Sequence, residues 1–216
     1  MSRSFAHRPR IRKFAISLTA TSTGIYLINC ATIVSMMLDP AIGILIVASL
    51  SLLLASAAIA KLRDLRSFEE IFAAYAVLPA QMNLPVARVL PFVELGLAVG
   101  LLMKSGRPYA GLAIIVLMLT YAAAIAGNLR RGRRDLACGC GGPAERRPIA
   151  RWMVWRNCMI SGYAGISLLP WSPRPLSPMD GVTLAFGLVT IALVYLCVDL
   201  LLGDVARRSA RLRGVR

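Results

Sequence analysis

Residues 41–60 read AIGILIVASLSLLLASAAIA and contain no charged side chain. A helix that crosses the roughly 30 Å hydrocarbon core of a bilayer needs about 20 consecutive, mainly apolar residues. The stretch therefore predicts a membrane-spanning helix. This decides the class of the fold, because the rest of the chain must then be interpreted as parts of a membrane protein.

Other apolar segments of similar length lie on both sides of this stretch. Four of them are predicted spans, at residues 86–103, 109–127, 152–170 and 181–202. A further segment at 14–38 is long enough but rich in Thr and Ser. The sequence predicts an all-α protein, a polytopic transmembrane helical bundle of five or six spans.

The overall composition agrees with this class. Hydrophobic residues make up 57% of the 216 residues and charged residues 16%, whereas soluble domains average about 45–50% and about 25%. The formal net charge is nevertheless +15. This composition excludes a disordered chain, a disulfide scaffold and a coiled coil. We expect the lipid bilayer to be the main partner of the protein.

The basic residues predict the orientation of the bundle. If the spans alternate, Lys104, Arg107 and Arg174 lie on one side and the other 22 of the 25 Lys and Arg on the opposite side. Cytoplasmic loops carry the Lys and Arg excess. We therefore expect a multi-pass protein of the bacterial inner membrane, with loops 61–85 and 129–151 and the C-terminus in the cytoplasm. Because the charge is spread over loops without a binding module, nucleic acid is excluded as a partner.

The first 38 residues have three interpretations. They form a basic tail followed by an extra span, or the n-region and apolar stretch of a signal peptide. The stretch is long for a signal peptide and ends without a cleavage site. In the third interpretation, translation starts at Met36 or Met37, which leaves five spans.

A short helix is predicted between the first two confident spans. Residues 67–70 read SFEE, which matches a capping box that starts at Ser67. Phe68, Ile71, Phe72 and Tyr75 then recur at helical spacing. We expect an amphipathic helix that lies on the cytoplasmic membrane interface and ends before Pro79.

Residues 138–142 read CGCGG in a loop rich in arginine. Nearby positive charge lowers the pKa of a thiol and favours the reactive thiolate. A single residue between Cys138 and Cys140 allows the sulfurs to meet only if the backbone turns tightly, which the glycines permit. The motif predicts thiol–disulfide exchange; the alternative is two incidental loop cysteines.

The remaining cysteines carry weaker signals. Cys158 is a candidate resolving thiol or a core residue, and Cys30 and Cys197 are interpreted as small packing residues. A soft metal ion bound by thiolates is the other option, but the only histidine is His7, so we predict no metal site and no cofactor. Asp199, near the end of the last span, is interpreted as a boundary residue.

Glu94 is the acidic residue near the middle of a predicted span. An ionisable group at that depth is costly and indicates a function or a buried partner. Arg156 is the first candidate partner and Lys61 the second, and Asn128 and Asn157 are candidates to complete a polar core. A structural ion pair and a proton-handling pair both fit.

Several stretches, in this order and spacing, resemble a known family. They are AKLRD at 60–64, YAVLP at 75–79, LPFVELG at 90–96, GNLRRGR at 127–133, CGCGG at 138–142 and VWRN at 154–157. Together they are similar to the methylamine-utilisation protein MauE family, a membrane group related to DoxX-like proteins with a four-helix core. The resemblance covers about residues 39–170, so residues 171–216 add a C-terminal span and a basic tail. One departure is Gly141-Gly142, where the family commonly has Phe-Gly after the second cysteine.

The resemblance implies an integral membrane accessory protein for the maturation of methylamine dehydrogenase. The client is then the exported, disulfide-rich small subunit of that enzyme, with a thioredoxin-like protein as partner. By the same resemblance Cys138 and Cys140 form the redox pair, and Glu94, Arg156 and Asn157 the polar core.

Two hypotheses follow, and they differ in class. In the first, the Cys-Gly-Cys pair performs thiol–disulfide exchange. In the second, a non-catalytic scaffold or transporter-like bundle centred on Glu94 and Arg156 recruits the thioredoxin-like partner. The first contains a conflict, because disulfide maturation belongs outside the cytoplasm whereas the arginines put the pair inside. A relay across the membrane, a loop that dips into the bundle, or a purely structural loop each resolves it.

Overall fold

The computed structural model describes residues 37–139 and 148–214, with side chains up to residue 205. The predicted basic tail and nearly all of the predicted span at 14–38 lie outside these ranges. Cys30 and Cys140 lie outside them as well.

Six α-helices form this described part of the chain. They are α1 (Pro40–Arg63), α2 (Leu65–Ala74), α3 (Ala80–Leu102), α4 (Arg107–Arg130), α5 (Arg151–Ile166) and α6 (Pro178–Gly214). Apart from two isolated bridges, these residues form no β-structure. The all-α prediction is confirmed.

Four of these helices are long and apolar enough to cross a membrane: α1, α3, α4 and the part of α6 at Pro178–Val205. Many large apolar side chains on them face outward, among them Phe92, Val116 and Phe186, which are 60%, 64% and 72% exposed. Such a surface is stable in lipid, where apolar exposure has no hydrophobic cost. The protein is therefore a polytopic helical membrane protein, as predicted.

The predicted span at 152–170 is shorter than expected. Its helix, α5, has 16 residues and ends at Ile166, and a turn leads from there to Pro170. Backbone hydrogen bonds then join Leu38 to this segment, from Leu38 N to Pro170 O and from Ser172 N to Leu38 O, both 2.8 Å long. The short helix and its turn therefore reach the same end of the bundle at which α1 begins.

The four helices α1, α3, α4 and α5 alternate in direction and give the bundle two ends. The arginine-rich end consists of α2, the C-terminal ends of α1 and α4, the N-terminal ends of α3 and α5, and residues 131–139. The opposite end consists of the other ends of these four helices, residues 167–177 and the start of α6. There Arg107 stacks 3.5 Å from the ring centre of Trp171, and Arg174 bonds Asp39 at 3.0 Å.

Close approach at the opposite end depends on a glycine. A Cβ atom at Gly43 on α1 would come within 2.4 Å of the Trp171 ring. The absent side chain thus lets the tryptophan lie directly against α1. The last helix, α6, packs against α1 with Gly187 facing Leu45.

The amphipathic helix α2 exists, but its N-terminus differs from the prediction. Asp64, not Ser67, is the N-cap, and its carboxylate accepts a hydrogen bond of 3.2 Å from the Ser67 backbone N–H. The capping-box prediction is therefore wrong, because the acidic residue three positions earlier caps the helix first. Phe68 is buried, and Tyr75 ends the helix before Pro79, as expected.

Candidate functional site

A buried ion pair joins α1 to α3 in the middle of the bundle. The Lys61 ammonium donates a hydrogen bond to Glu94 Oε1, and each side chain is only 2% exposed. The Tyr121 hydroxyl on α4 donates a second bond, 2.6 Å long, to the same oxygen. The ammonium also lies 5.2 Å from the ring centre of Tyr121 and 5.3 Å from that of Phe68. These contacts give each charge an oppositely charged or polar partner in a region where an unpaired charge is costly.

The direction of helical side chains explains why Lys61 reaches Glu94. Lys61 lies in the last turn of α1, whereas Glu94 lies 14 residues into α3, about 21 Å along that helix. Side chains on a helix lean toward its N-terminus. Because α1 and α3 are antiparallel, Lys61 leans into the bundle and Glu94 leans back toward the arginine-rich end, so they approach each other.

Arg156 is not the partner of Glu94, which corrects the first of the two expectations. Its guanidinium bonds Asp199 on α6 at 2.8 Å, with side-chain exposures of 14% and 16%. α6 runs antiparallel to α5 and brings Asp199 to the level of Arg156. Asp199, which we interpreted as a boundary residue, therefore has a basic partner that the sequence did not predict.

Asn157 and Asn128 lie in different places. Asn157 is buried, 2% exposed, and lines a small pocket together with Glu94 and Arg156. Asn128 instead fixes the connection after α2: its amide donates to Tyr75 O and Ala124 O, both at 3.1 Å, and its oxygen accepts from Arg133 at 3.2 Å. The expectation that Asn128 completes the Glu94 cluster is therefore wrong.

Cys138 lies at the arginine-rich end, on the wall of an apolar groove. It is half-buried and packs with Tyr75, Ile125 and Ile149, and the Tyr75 hydroxyl donates a 3.4 Å bond to its carbonyl. The groove has a volume of about 200 Å³ and runs between α2, α3 and α4. Lys61 and Tyr121 line it on the bundle side.

Gly139 turns the chain directly after Cys138. Its φ is +66°, a left-handed conformation that side-chain-bearing residues avoid, and a Cβ atom there would lie 3.1 Å from Ile71 Cγ2 on α2. The glycine thus allows the loop to lie directly against α2. The tight turn expected between the two cysteines stays a prediction, because Cys140 lies outside the described residues.

The other described cysteines face outward. Cys158 on α5 and Cys197 on α6 are both exposed, so their interpretation as core or packing residues is wrong. Cys158 lies outside the groove wall that contains Cys138. Its assignment as a resolving thiol stays a prediction.

Within residues 37–139 and 148–205, no three His, Cys, Asp or Glu side chains cluster closely enough to hold a metal ion. Chemically, this part of the bundle therefore offers a thiol beside an apolar groove and a carboxylate held between an ammonium and a phenol.

Sequence reasoning did not identify Tyr121, because a tyrosine in an apolar run has no local pattern that distinguishes a ligand from a packing residue.

Comparison with known proteins gives one consistent result. The family model "Methylamine utilisation protein MauE" matches residues 39–170. A MauE protein of Methylophilus methylotrophus is 33% identical over 176 residues, which is 81% of this chain and 93% of that protein. One from Paracoccus denitrificans is 35% identical over 163 residues, covering 74% and 87% of the two chains. One from Methylorubrum extorquens is 34% identical over 168 residues, covering 77% and 88%. No solved structure gives a significant match.

Proposed function

The chain belongs to the MauE family of methylamine utilisation proteins, as its motifs predicted, and from that premise we propose that it supports the maturation of an exported redox enzyme by thiol–disulfide exchange at Cys138 and Cys140. The client is the disulfide-rich small subunit of methylamine dehydrogenase. A thioredoxin-like protein is the exchange partner.

The observation that carries this proposal is the setting of Cys138. The cysteine lies half-buried on the wall of an open apolar groove, at the end of the bundle that carries most of the arginines. Partial exposure gives a partner protein access to the thiol. An apolar groove beside a thiol suits an extended protein segment, which offers apolar side chains next to its own cysteine.

The chemistry needs two thiols and no cofactor. A thiolate of the pair attacks one sulfur of the partner's disulfide and forms a mixed disulfide, and the other partner sulfur leaves as a thiolate. The second cysteine then attacks the mixed disulfide, releases the partner as a dithiol and closes the Cys138–Cys140 bond. Two electrons pass to the partner, and the reverse sequence passes two electrons back.

A bond that closes over a single intervening residue is strained, and strained disulfides exchange readily. The left-handed φ of Gly139 supports this proposal, because the residue between the two cysteines has a backbone conformation that a glycine adopts at no steric cost.

The side of the membrane is part of the proposal. The charge distribution favours a cytoplasmic arginine-rich end, so the pair exchanges with thiol proteins on that side and the redox change is relayed to the exported client. Labelling of Cys138 with a membrane-impermeant thiol reagent tests this, with Cys158→Ser/Cys197→Ser in the background to remove the exposed helix cysteines. We expect labelling only in inverted vesicles; labelling in intact spheroplasts reverses the orientation.

The role of the pair is tested with Cys138→Ser/Cys140→Ser in a host that lacks the native chain, grown on another carbon source while methylamine induces the client. The matched control is Cys158→Ser/Cys197→Ser, which removes two cysteines outside the motif. We expect the first variant to insert normally but to leave the client without its disulfides on non-reducing gels, while the control matures it fully. Normal maturation by the first variant refutes thiol exchange.

A second function, a non-catalytic scaffold that recruits the thioredoxin-like partner, is favoured by the buried Lys61–Glu94–Tyr121 contacts. Such a scaffold depends on a fixed bundle and needs no thiol. In that case Lys61→Met/Glu94→Gln, which removes both charges of the pair, abolishes client maturation and the cysteine pair is dispensable. The two variants, compared in the same host, separate the two functions.

A further inference from the structure

A second, smaller pocket lies between the helices and shares Lys61 and Tyr121 with the groove. It has a volume of about 40 Å³ and touches α1, α3, α4, α5 and α6. Its polar lining comes from Lys61, Glu94, Tyr121, Arg156, Asn157 and Tyr195. Neither the proposed thiol exchange nor the family assignment gives this pocket a role.

Two almost fully buried lining residues, Glu94 and Asn157, each have a buried polar atom without a partner among the described residues. One is Glu94 Oε2, since Lys61 and Tyr121 both bond the other carboxylate oxygen. The second is the Asn157 amide nitrogen, Nδ2. Both residues are only 2% exposed. One atom is an acceptor and the other a donor, and leaving either unsatisfied in a membrane interior is costly.

Size and charge identify the ligand class. A water molecule needs roughly 10–15 Å³ of such space, so the pocket has room for about three to four waters and is too small for an organic metabolite. An added cation would face Lys61 and Arg156, and an added anion would face Glu94. Each of these charges already has a counter-charge, so a small neutral molecule that both donates and accepts fits best.

We propose that this pocket is an ordered-water site, in which water donates to Glu94 Oε2 and accepts from Asn157 Nδ2. The bound water joins the Lys61–Glu94 pair to the neighbourhood of the Arg156–Asp199 pair. One polar network then extends through the five helices that touch the pocket.

Radiolytic labelling of the full-length protein in lipid nanodiscs tests the site. A short X-ray pulse converts bound water to hydroxyl radicals, which oxidise the side chains next to it, and H₂¹⁸O marks the added oxygen. Met118 lines the pocket and is 7% exposed, whereas Met153 is 2% exposed and lies outside it. We expect Met118 to be oxidised at least several-fold faster than Met153, and equal rates overturn the proposal.

A pair of variants separates pocket water from the small difference in exposure between the two methionines. Asn157→Leu removes the donor and fills the pocket, so the Met118 rate should fall to that of Met153. Ser161→Ala, one turn further along α5 at another buried polar residue outside the pocket, should leave it unchanged. An unchanged Met118 rate in folded Asn157→Leu overturns the proposal, and the comparison within the unaltered protein remains decisive if that variant does not fold.

Discussion

Removing one partner of the buried Lys61–Glu94 pair should destabilise the bundle far more than removing both. In Lys61→Met the Glu94 carboxylate stays buried at 2% exposure, and of its two donors only the Tyr121 hydroxyl remains. Breaking a buried pair in this way typically costs about 3–5 kcal/mol. We expect a loss of that size in the free energy of unfolding.

The double variant Lys61→Met/Glu94→Gln removes both charges and keeps the side-chain volumes nearly constant. Replacement of a buried pair by neutral groups of similar volume is often neutral or stabilising. The double variant should therefore be more stable than Lys61→Met by at least about 2 kcal/mol, which amounts to a large coupling energy between the two positions.

The assay is unfolding in mixed micelles of a mild detergent and increasing SDS, followed by tryptophan fluorescence. The Arg88–Glu69 pair is the matched control. It also joins a basic and an acidic side chain, at 2.7 Å, but the Arg88 side chain is 58% exposed. Such exposed pairs contribute about 0–1 kcal/mol, so Arg88→Met should change little. The reasoning is refuted if Lys61→Met costs no more than Arg88→Met, or if Glu94→Gln fails to restore stability in the Lys61→Met background.

Two other features give predictions of their own. The hydrogen bond from Arg174 holds the pKa of the Asp39 carboxyl below its ordinary value of 3.8. The ionised carboxylate therefore stabilises the fold at pH values above 3.8, and this stabilisation is lost as the pH falls through the lowered pKa. The melting temperature of Asp39→Asn should therefore lie below that of the unaltered protein at pH 6 and approach it near pH 2; a constant difference contradicts this. Gly139→Ala should cost about 1 kcal/mol or more in chemical unfolding, because it combines a left-handed φ with a contact to Ile71. Gly132 has a similar φ, but a Cβ atom there would meet open space, so Gly132→Ala should lower the free energy of unfolding by less. Equal losses in the two variants would show that the contact with Ile71 is unimportant.

The sequence was sufficient for the spans because their signal is local. A run such as residues 41–60 has to be buried in lipid wherever its neighbours lie, and α1 at Pro40–Arg63 extends that run by only a few residues. The start of α3 was less visible. Ala80 precedes the predicted start by six residues, because Gln81 and Asn83 are polar and Pro85 discourages a helix assignment although the helix includes it.

Partners across helices were harder to predict because they depend on axial level and side-chain direction. The expectation that Arg156 is the first partner of Glu94 ignored the direction in which the Lys61 side chain leans. The pairing of Asp199 with Arg156 was not predicted for a similar reason, since nothing in the apolar run around Asp199 indicates that Arg156 lies opposite. The Cys138 loop was recognised from its composition, but its packing against α2 depends on distant residues such as Tyr75.

The Lys61–Glu94 pair connects the two candidate functions physically. Lys61 and Tyr121 line both the groove beside Cys138 and the smaller pocket beside Asn157, and both side chains bond Glu94. Loss of Lys61 would therefore alter the groove and the bundle together, and a maturation defect in Lys61→Met alone would not distinguish thiol exchange from scaffolding. Lys61→Met/Glu94→Gln does distinguish them once its stability is restored. If the groove only has to present Cys138, the double variant matures the client; if the charged pair itself recruits the partner, the double variant stays inactive although it is folded.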